Sequence, residues 1–193
     1  MARITKSVPE RRQEIIDAAR ALFIEKGFDK TQVSDISKRM NVAQGLVYHY
    51  FKSKTEMLYA VIDELAEEYR KTMEGILNGN NGKTVELLNI ICEYRPDMDS
   101  YGELIPSICG DSAIVGYCLN KMTAASVPLL VALIERGNAD GSWQCEYPEE
   151  TALFILQGIG GFFERPGQRV FDTEKKQALT SIILRVLAAP AQK

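Results

Sequence analysis

The sequence predicts an all-α protein of about nine helices. Three observations carry this expectation. Apolar residues recur at three- and four-residue spacing along most of the chain. Capping residues and glycines punctuate that spacing. No pair of segments alternates with the two-residue period of strands. At 193 residues the chain is long enough to bury a core without disulfides or metals. Its 46% hydrophobic and 25% charged residues are ordinary globular usage, which excludes wholesale disorder.

The elements follow in order. Ser7-Val8-Pro9-Glu10 is a capping box with proline in the first turn, where its missing N–H costs nothing. Ile15, Ala19, Leu22 and Phe23 continue the helix, and Lys26-Gly27 stops it. Thr31 is a candidate N-cap for a short second helix with Val33, Ile36 and Met40 on one face. Asn41, a residue tolerant of positive φ, makes a tight turn into a third helix from about Gln44 to Phe51. Ser53-Lys54-Thr55-Glu56 is a second capping box. It opens a long helix with an apolar stripe from Leu58 to Leu77, ended by Asn78-Gly79-Asn80-Asn81-Gly82. Five further helices are expected, over about 84–94, 103–109, 112–136, 148–163 and from 172 or 173 onward. The third of these contains Pro128, where a bend is expected, and Gly137 should stop it.

Several function classes fall away. The chain has one histidine, His49, and four cysteines, none two to four residues from another. A zinc site needs closely spaced soft ligands, so no metal and no cofactor are expected. The cysteines read as reduced thiols used as small apolar side chains, with a redox-sensing pair as the alternative. No nucleophile motif or phosphate loop is present, which argues against an enzyme. Gly158-Ile159-Gly160-Gly161 follows a helix rather than a strand and lacks dinucleotide-binding context. No apolar run approaches the roughly 20 residues of a membrane span, and no apolar stretch follows the basic N-terminus as in a signal peptide. A soluble, cytoplasmic protein without a membrane partner is expected.

Charge is unevenly placed. Residues 1–56 hold 11 Lys and Arg against 7 Asp and Glu, whereas the whole chain carries a net charge of −3. A basic head on an acidic body suits a polyanion partner for the head. The first three helices, with their tight second turn, describe a helix-turn-helix. At about 100° per residue, Gln44, Tyr48, Gly45 and His49 fall on one arc of the third helix, opposite Val47. Gln pairs bidentately with adenine, and Tyr and His donate to phosphates. Gly45 permits close approach, and Leu46 lies beside the arc, where it can touch a thymine methyl. Lys54 places a cation at a helix N-terminus, which opposes the macrodipole unless a bridging phosphate offsets it.

Ala18-Ala19-Arg20-Ala21-Leu22-Phe23, Lys26-Gly27-Phe28-Asp29, Thr31 to Ile36, and Val42-Ala43-Gln44-Gly45-Leu46-Val47-Tyr48-His49-Tyr50-Phe51 with Lys52-Ser53-Lys54 occur in that order. Over residues 8–58 the chain resembles the DNA-binding domain of the TetR (tetracycline repressor-like) family of bacterial regulators. The resemblance implies that Gln44, Gly45, Leu46 and His49 approach bases, and that Thr31, Tyr48, His49 and Lys54 meet phosphates. Two positions depart from the family pattern: Asn41 replaces a usual glycine, and Ala43 replaces a usual Ser or Thr. Ala43 cannot cap the third helix, a loss of about 1 kcal/mol. The expected division is a helix-turn-helix domain over 1–53 and an effector-binding and dimerisation domain over 54–193.

In the body, Tyr94, Met98, Tyr101, Cys109, Tyr117, Cys118 and Met122 form a run suited to an adaptable apolar cavity. The resemblance places an effector pocket among these middle helices, bounded by the fourth, where Tyr69 and Met73 lie. The acidic residues between Glu93 and Asp111 fit either a cationic effector or a solvated edge. The helix carrying Phe154, Gly158 and Phe162 is apolar nearly all round, and the last carries Leu179, Ile182, Ile183 and Val186. These two helices are the candidate homodimer interface; the alternative is that both stripes serve the monomer core. The expected function is a ligand-responsive transcriptional regulator, in family terms a repressor, that binds a palindromic double-stranded operator as a dimer and is released by a small-molecule effector. The alternative is a helical protein-interaction module that has lost DNA binding.

Overall fold

A computed structural model describes residues 7–93, 103–163 and 173–187. Among them are nine helices and no strand: α1 (Val8–Lys26), α2 (Val33–Arg39), α3 (Gln44–Tyr50), α4 (Lys54–Gly79), α5 (Thr84–Glu93), α6 (Leu104–Ile108), α7 (Ser112–Asp140), α8 (Pro148–Phe163) and α9 (Thr173–Leu187). The all-α expectation is met. The chain forms two compact units, Met1–Leu65 with Asp97–Cys118, and Ala66–Pro96 with Leu119–Lys193.

In the first unit, local signals act as the sequence predicts. The Ser7 N–H donates to Glu10 Oε2 at 2.8 Å, and the Glu10 N–H reaches Ser7 Oγ at 3.4 Å. Gly27 ends α1 with φ 82° and ψ 158°. That φ is positive, but the ψ is extended rather than left-handed helical, a region open almost only to glycine. Asn41 turns the chain at φ 53°. Ile15, Ala19, Leu22, Phe23, Ile36, Val47 and Phe51 are buried in one core. Met57, Leu58, Val61 and Ile62 join it, so the first turns of α4 pack with α1–α3. The start of α4 is a modified box: Ser53 Oγ accepts from the Glu56 N–H at 3.0 Å, while Glu56 Oε2 accepts from the N–H of Lys52 rather than that of Ser53. The segment 103–108 docks onto the end of α1. The Glu103 N–H donates to the Ile24 carbonyl at 2.9 Å, and Ser107 Oγ accepts from the Phe28 N–H at 2.8 Å.

The second unit has its own core of Leu87, Leu88, Leu133, Ile134, Trp143, Ala152, Ile155, Ile183 and Leu187. Arg136 closes the loop after α4, donating to the Leu77 carbonyl at 3.2 Å and to that of Gly82 at 2.8 Å. The Asp140 carboxylate caps α5 through the Thr84 hydroxyl and N–H, and it also accepts from the Ser142 N–H at 2.9 Å. Asn138 and Cys145 exchange two bonds of 2.8 Å across the next turn.

Two sequence expectations about α7 need correcting. Gly137 does not stop the helix, which runs through both Pro128 and Gly137 to Asp140. The glycine is buried because the Trp143 ring lies against it. By length and composition α7 is also long and apolar enough to cross a membrane, with a mean hydropathy of 1.5 over its best window. Its ends supply Ile114 to one core and Leu133 and Ile134 to the other.

Candidate nucleic-acid interface

The third helix presents the arc the sequence predicts. Gln44, Gly45, Tyr48 and His49 are exposed, Leu46 is half-buried, and Val47 is fully buried behind them. Tyr48 is 49% exposed. A Cβ built on Gly45 meets nothing within 4 Å. Glycine inside a helix costs about 0.5–1 kcal/mol relative to alanine, and no packing among the described residues requires it here. Ala43 occupies the N-cap with no side-chain bond, as expected.

Beside this arc is an open recess of about 370 Å³. The loop before α2 gives Asp29 and Thr31, the start of α2 gives Gln32, Val33 and Ser34, α3 gives Gln44 and Tyr48, and α4 gives Lys54. Gln32, not Thr31, occupies the N-cap of α2, without a side-chain bond to the helix N–H groups. Its N–H donates to Asp35 Oδ2 at 3.1 Å, and its side-chain oxygen accepts from Ser34 at 3.4 Å. Glutamine is a weak capping signal, so residue type alone does not point to this position.

Two of the expected phosphate contacts look different in the structure. Thr31 is 1% exposed, and its hydroxyl donates to the carbonyls of Gly27 at 2.8 Å and Leu22 at 3.3 Å. The hydroxyl is spent inside the protein because the loop folds back over the end of α1. Lys54 Nζ donates to the carbonyls of Phe28 at 2.7 Å, Thr31 at 2.9 Å and Asp29 at 3.3 Å. It also lies 4.3 Å from the Phe28 ring centroid. Burial lowers its pKa, partly opposed by the charge of Asp29.

Neighbouring cations divide into two groups. Arg39 is paired with Glu25 at 2.8 Å and Lys26 with Asp35 at 3.8 Å, ties that fix α2 against α1. Lys38 and Lys52 are exposed and enter no ion pair among the described residues. The surface therefore offers an amide, a phenol, an imidazole and two uncommitted cations around a bare backbone. That set suits hydrogen bonding to base edges and phosphates. Among the described residues no group of three or more His, Cys, Asp or Glu is placed to hold a metal.

The expected body sites are only partly visible. Tyr94, Met98 and Tyr101 lie outside the described residues. In the first unit Tyr117 stacks on Tyr59, with ring centroids 4.1 Å apart, and donates to Asp63 at 2.9 Å. The sequence reading does not single out either partner. Cys109 and Cys118 are also in this unit, neither in a disulfide among the described residues. Burial, then the nearby Cys109, pushes Cys118 up to about 11. Tyr69, Met73 and Met122 belong to the second unit, where Met73 is buried.

Of the candidate interface residues, Phe154 is 70% and Ile182 53% exposed. A Cβ on Gly158 would meet nothing within 4 Å. Ile183 is instead 4% exposed and belongs to the core of its own unit, with Leu179 and Val186 packed against that core. Within this stripe on α9, Ile183 is taken up by the core of its own unit, Leu179 and Val186 are half-buried, and Ile182 faces out. The side chain of Phe162 lies outside the described set.

A buried three-helix core with a steep turn, carrying a polar recognition face, defines a helix-turn-helix protein of the DNA-binding class. Residues 15–61 match the family described as "Bacterial regulatory proteins, tetR family". It is 29% identical to the HTH-type transcriptional repressor KstR2 of Rhodococcus jostii, over 93% of this chain and 92% of that protein. It is 28% identical to the HTH-type transcriptional regulator TtgR of Pseudomonas putida, over 82% of this chain and 83% of that one. Its fold is similar to that of RolR in complex with resorcinol, with a TM-score of 0.67 and 16% identity, covering 95% of this chain and 90% of RolR.

Proposed function

We propose that this chain is a ligand-responsive transcriptional repressor of the bacterial cytoplasm. It binds a palindromic operator as a homodimer and releases it when a small molecule occupies the body. Residues 1–53 read DNA, and residues 54–193 pair the subunits and hold the effector. Gln44, Gly45, Leu46 and His49 face bases, and Tyr48 and His49 meet phosphates, with Lys38 and Lys52 adding to the field. The observation that carries this reading is the exposed arc on α3 together with the unfilled space at Gly45. The relatives named as transcriptional repressors and regulators support it.

A short helix alone contacts too few bases for useful specificity, so such readers pair on half-sites about 34–36 Å apart. The exposed Phe154 and Ile182, with the open Gly158, supply an apolar surface for a second copy. An effector acts by favouring a state of the dimer whose two reading helices no longer match that spacing.

Selection from a random duplex library with the purified protein tests the reading. The expected winner is an inverted repeat, bound by two chains. Phe154→Glu with Ile182→Glu should give a monomer in sedimentation and lose the repeat. Absence of any enriched duplex overturns the DNA reading and favours a protein-interaction module.

A further inference from the structure

We infer that Lys54 is a positioning residue for the DNA face, and that its ammonium acts by gathering the carbonyls of the loop before α2 rather than by holding a phosphate. The inference rests on the reading of α3 as the DNA-facing helix. An ammonium has three N–H donors. Those of Lys54 meet the carbonyls of Phe28, Thr31 and Asp29 at 2.7, 2.9 and 3.3 Å. The Phe28 ring covers a further side, 4.3 Å away. A phosphate could be reached only by giving up at least one of these bonds and exposing a carbonyl dipole to the arriving anion.

The rest of the loop is fixed from beneath. The Thr31 hydroxyl ties back to Gly27 and Leu22, and Ser107 Oγ holds the Phe28 N–H. Phe28 packs edge-on against Phe23, with centroids 5.4 Å apart. Three carbonyls are thus held pointing one way, and Lys54 supplies the charge that makes their convergence favourable. It also offsets its own unfavourable place at the N-terminus of α4. The next residues in the chain, Gln32 and Ser34, line the recess opposite Gln44 and Tyr48. The clamp therefore sets the gap between the start of α2 and the reading face of α3.

Lys54→Arg and Lys54→Met separate the two roles. At a phosphate, arginine serves as well as lysine or better. At three converging carbonyls a planar guanidinium does not replace a compact ammonium. The full-length protein is used, with the winning duplex of the selection above and a scrambled duplex. In the free protein both variants should speed amide exchange at Thr31 and Gln32 by about tenfold, the scale of one lost interaction. Both should weaken operator binding by roughly tenfold or more, while Lys54→Arg keeps its affinity for the scrambled duplex at low salt, since its charge is retained.

Wild-type operator affinity in Lys54→Arg, with a salt slope shallower by about one in Lys54→Met, identifies a phosphate contact and overturns the inference. Unchanged exchange at Thr31 and Gln32 in Lys54→Met overturns the clamp whatever the DNA result. Failure of the wild type to bind any duplex overturns the DNA reading, and with it the positioning role, while the exchange data separately report the clamp.

Discussion

Trp143 is laid against Gly137 so closely that a Cβ on the glycine would overlap the indole ring. The indole N–H donates to the Ile134 carbonyl at 2.8 Å, so the ring is fixed edge and face against α7. The helix runs on past Gly137 because the glycine is there to admit a ring, not to break a backbone.

Gly137→Ala should therefore destabilise the second unit by about 1–3 kcal/mol, the usual cost of overpacking. This is opposite in sign to the gain expected for alanine at an unconstrained helical glycine. The measurement is the urea midpoint of the purified protein. A raised midpoint would show that the ring moves aside at no cost.

Gly45→Ala should behave in the other way. Nothing within 4 Å of the added methyl resists it, so the first unit should gain about 0.5–1 kcal/mol. On the proposed reading operator affinity should fall, because the added methyl would stand between the helix and the groove. Thermal melting and fluorescence anisotropy on the same preparation check both halves, and a variant that is more stable and binds equally well would remove Gly45 from the reading face.

Asp140 predicts a pH dependence. Bonds from the Ser142 and Thr84 hydroxyls hold its carboxyl down to about 2, against an ordinary 3.8. The unfolded state therefore takes up the proton more readily than the folded one. The stability Asp140 contributes is present above about pH 4 and is lost as pH falls through about 2. Wild type should exceed Asp140→Asn in melting temperature at pH 6, and the difference should shrink toward zero near pH 2. A constant difference across that range would assign the loss to something other than ionisation.

Local features are the ones legible in the sequence. The box at Ser7 and Glu10, the turn at Asn41 and the arc of α3 depend on residues a few positions apart, and all appear as expected. The features that escape it depend on where distant segments return. Lys54 finds carbonyls 23 to 26 residues earlier in the chain, which no local pattern announces. Helical spacing on α9 identifies an apolar stripe but not which flank faces its own core, so it offers Ile182 and Ile183 alike to a partner, although only Ile182 is exposed. Likewise, a glycine that makes room and a glycine that ends a helix are the same letter, and Gly137 acquires its meaning only from Trp143.

The chain has a single tryptophan, and it sits inside the core of the second unit. Indole emission therefore watches that unit alone, whereas far-ultraviolet ellipticity sums over both. Comparing the two signals in one denaturant titration gives, without labels or mutations, a direct reading of whether the first unit melts with the second or on its own.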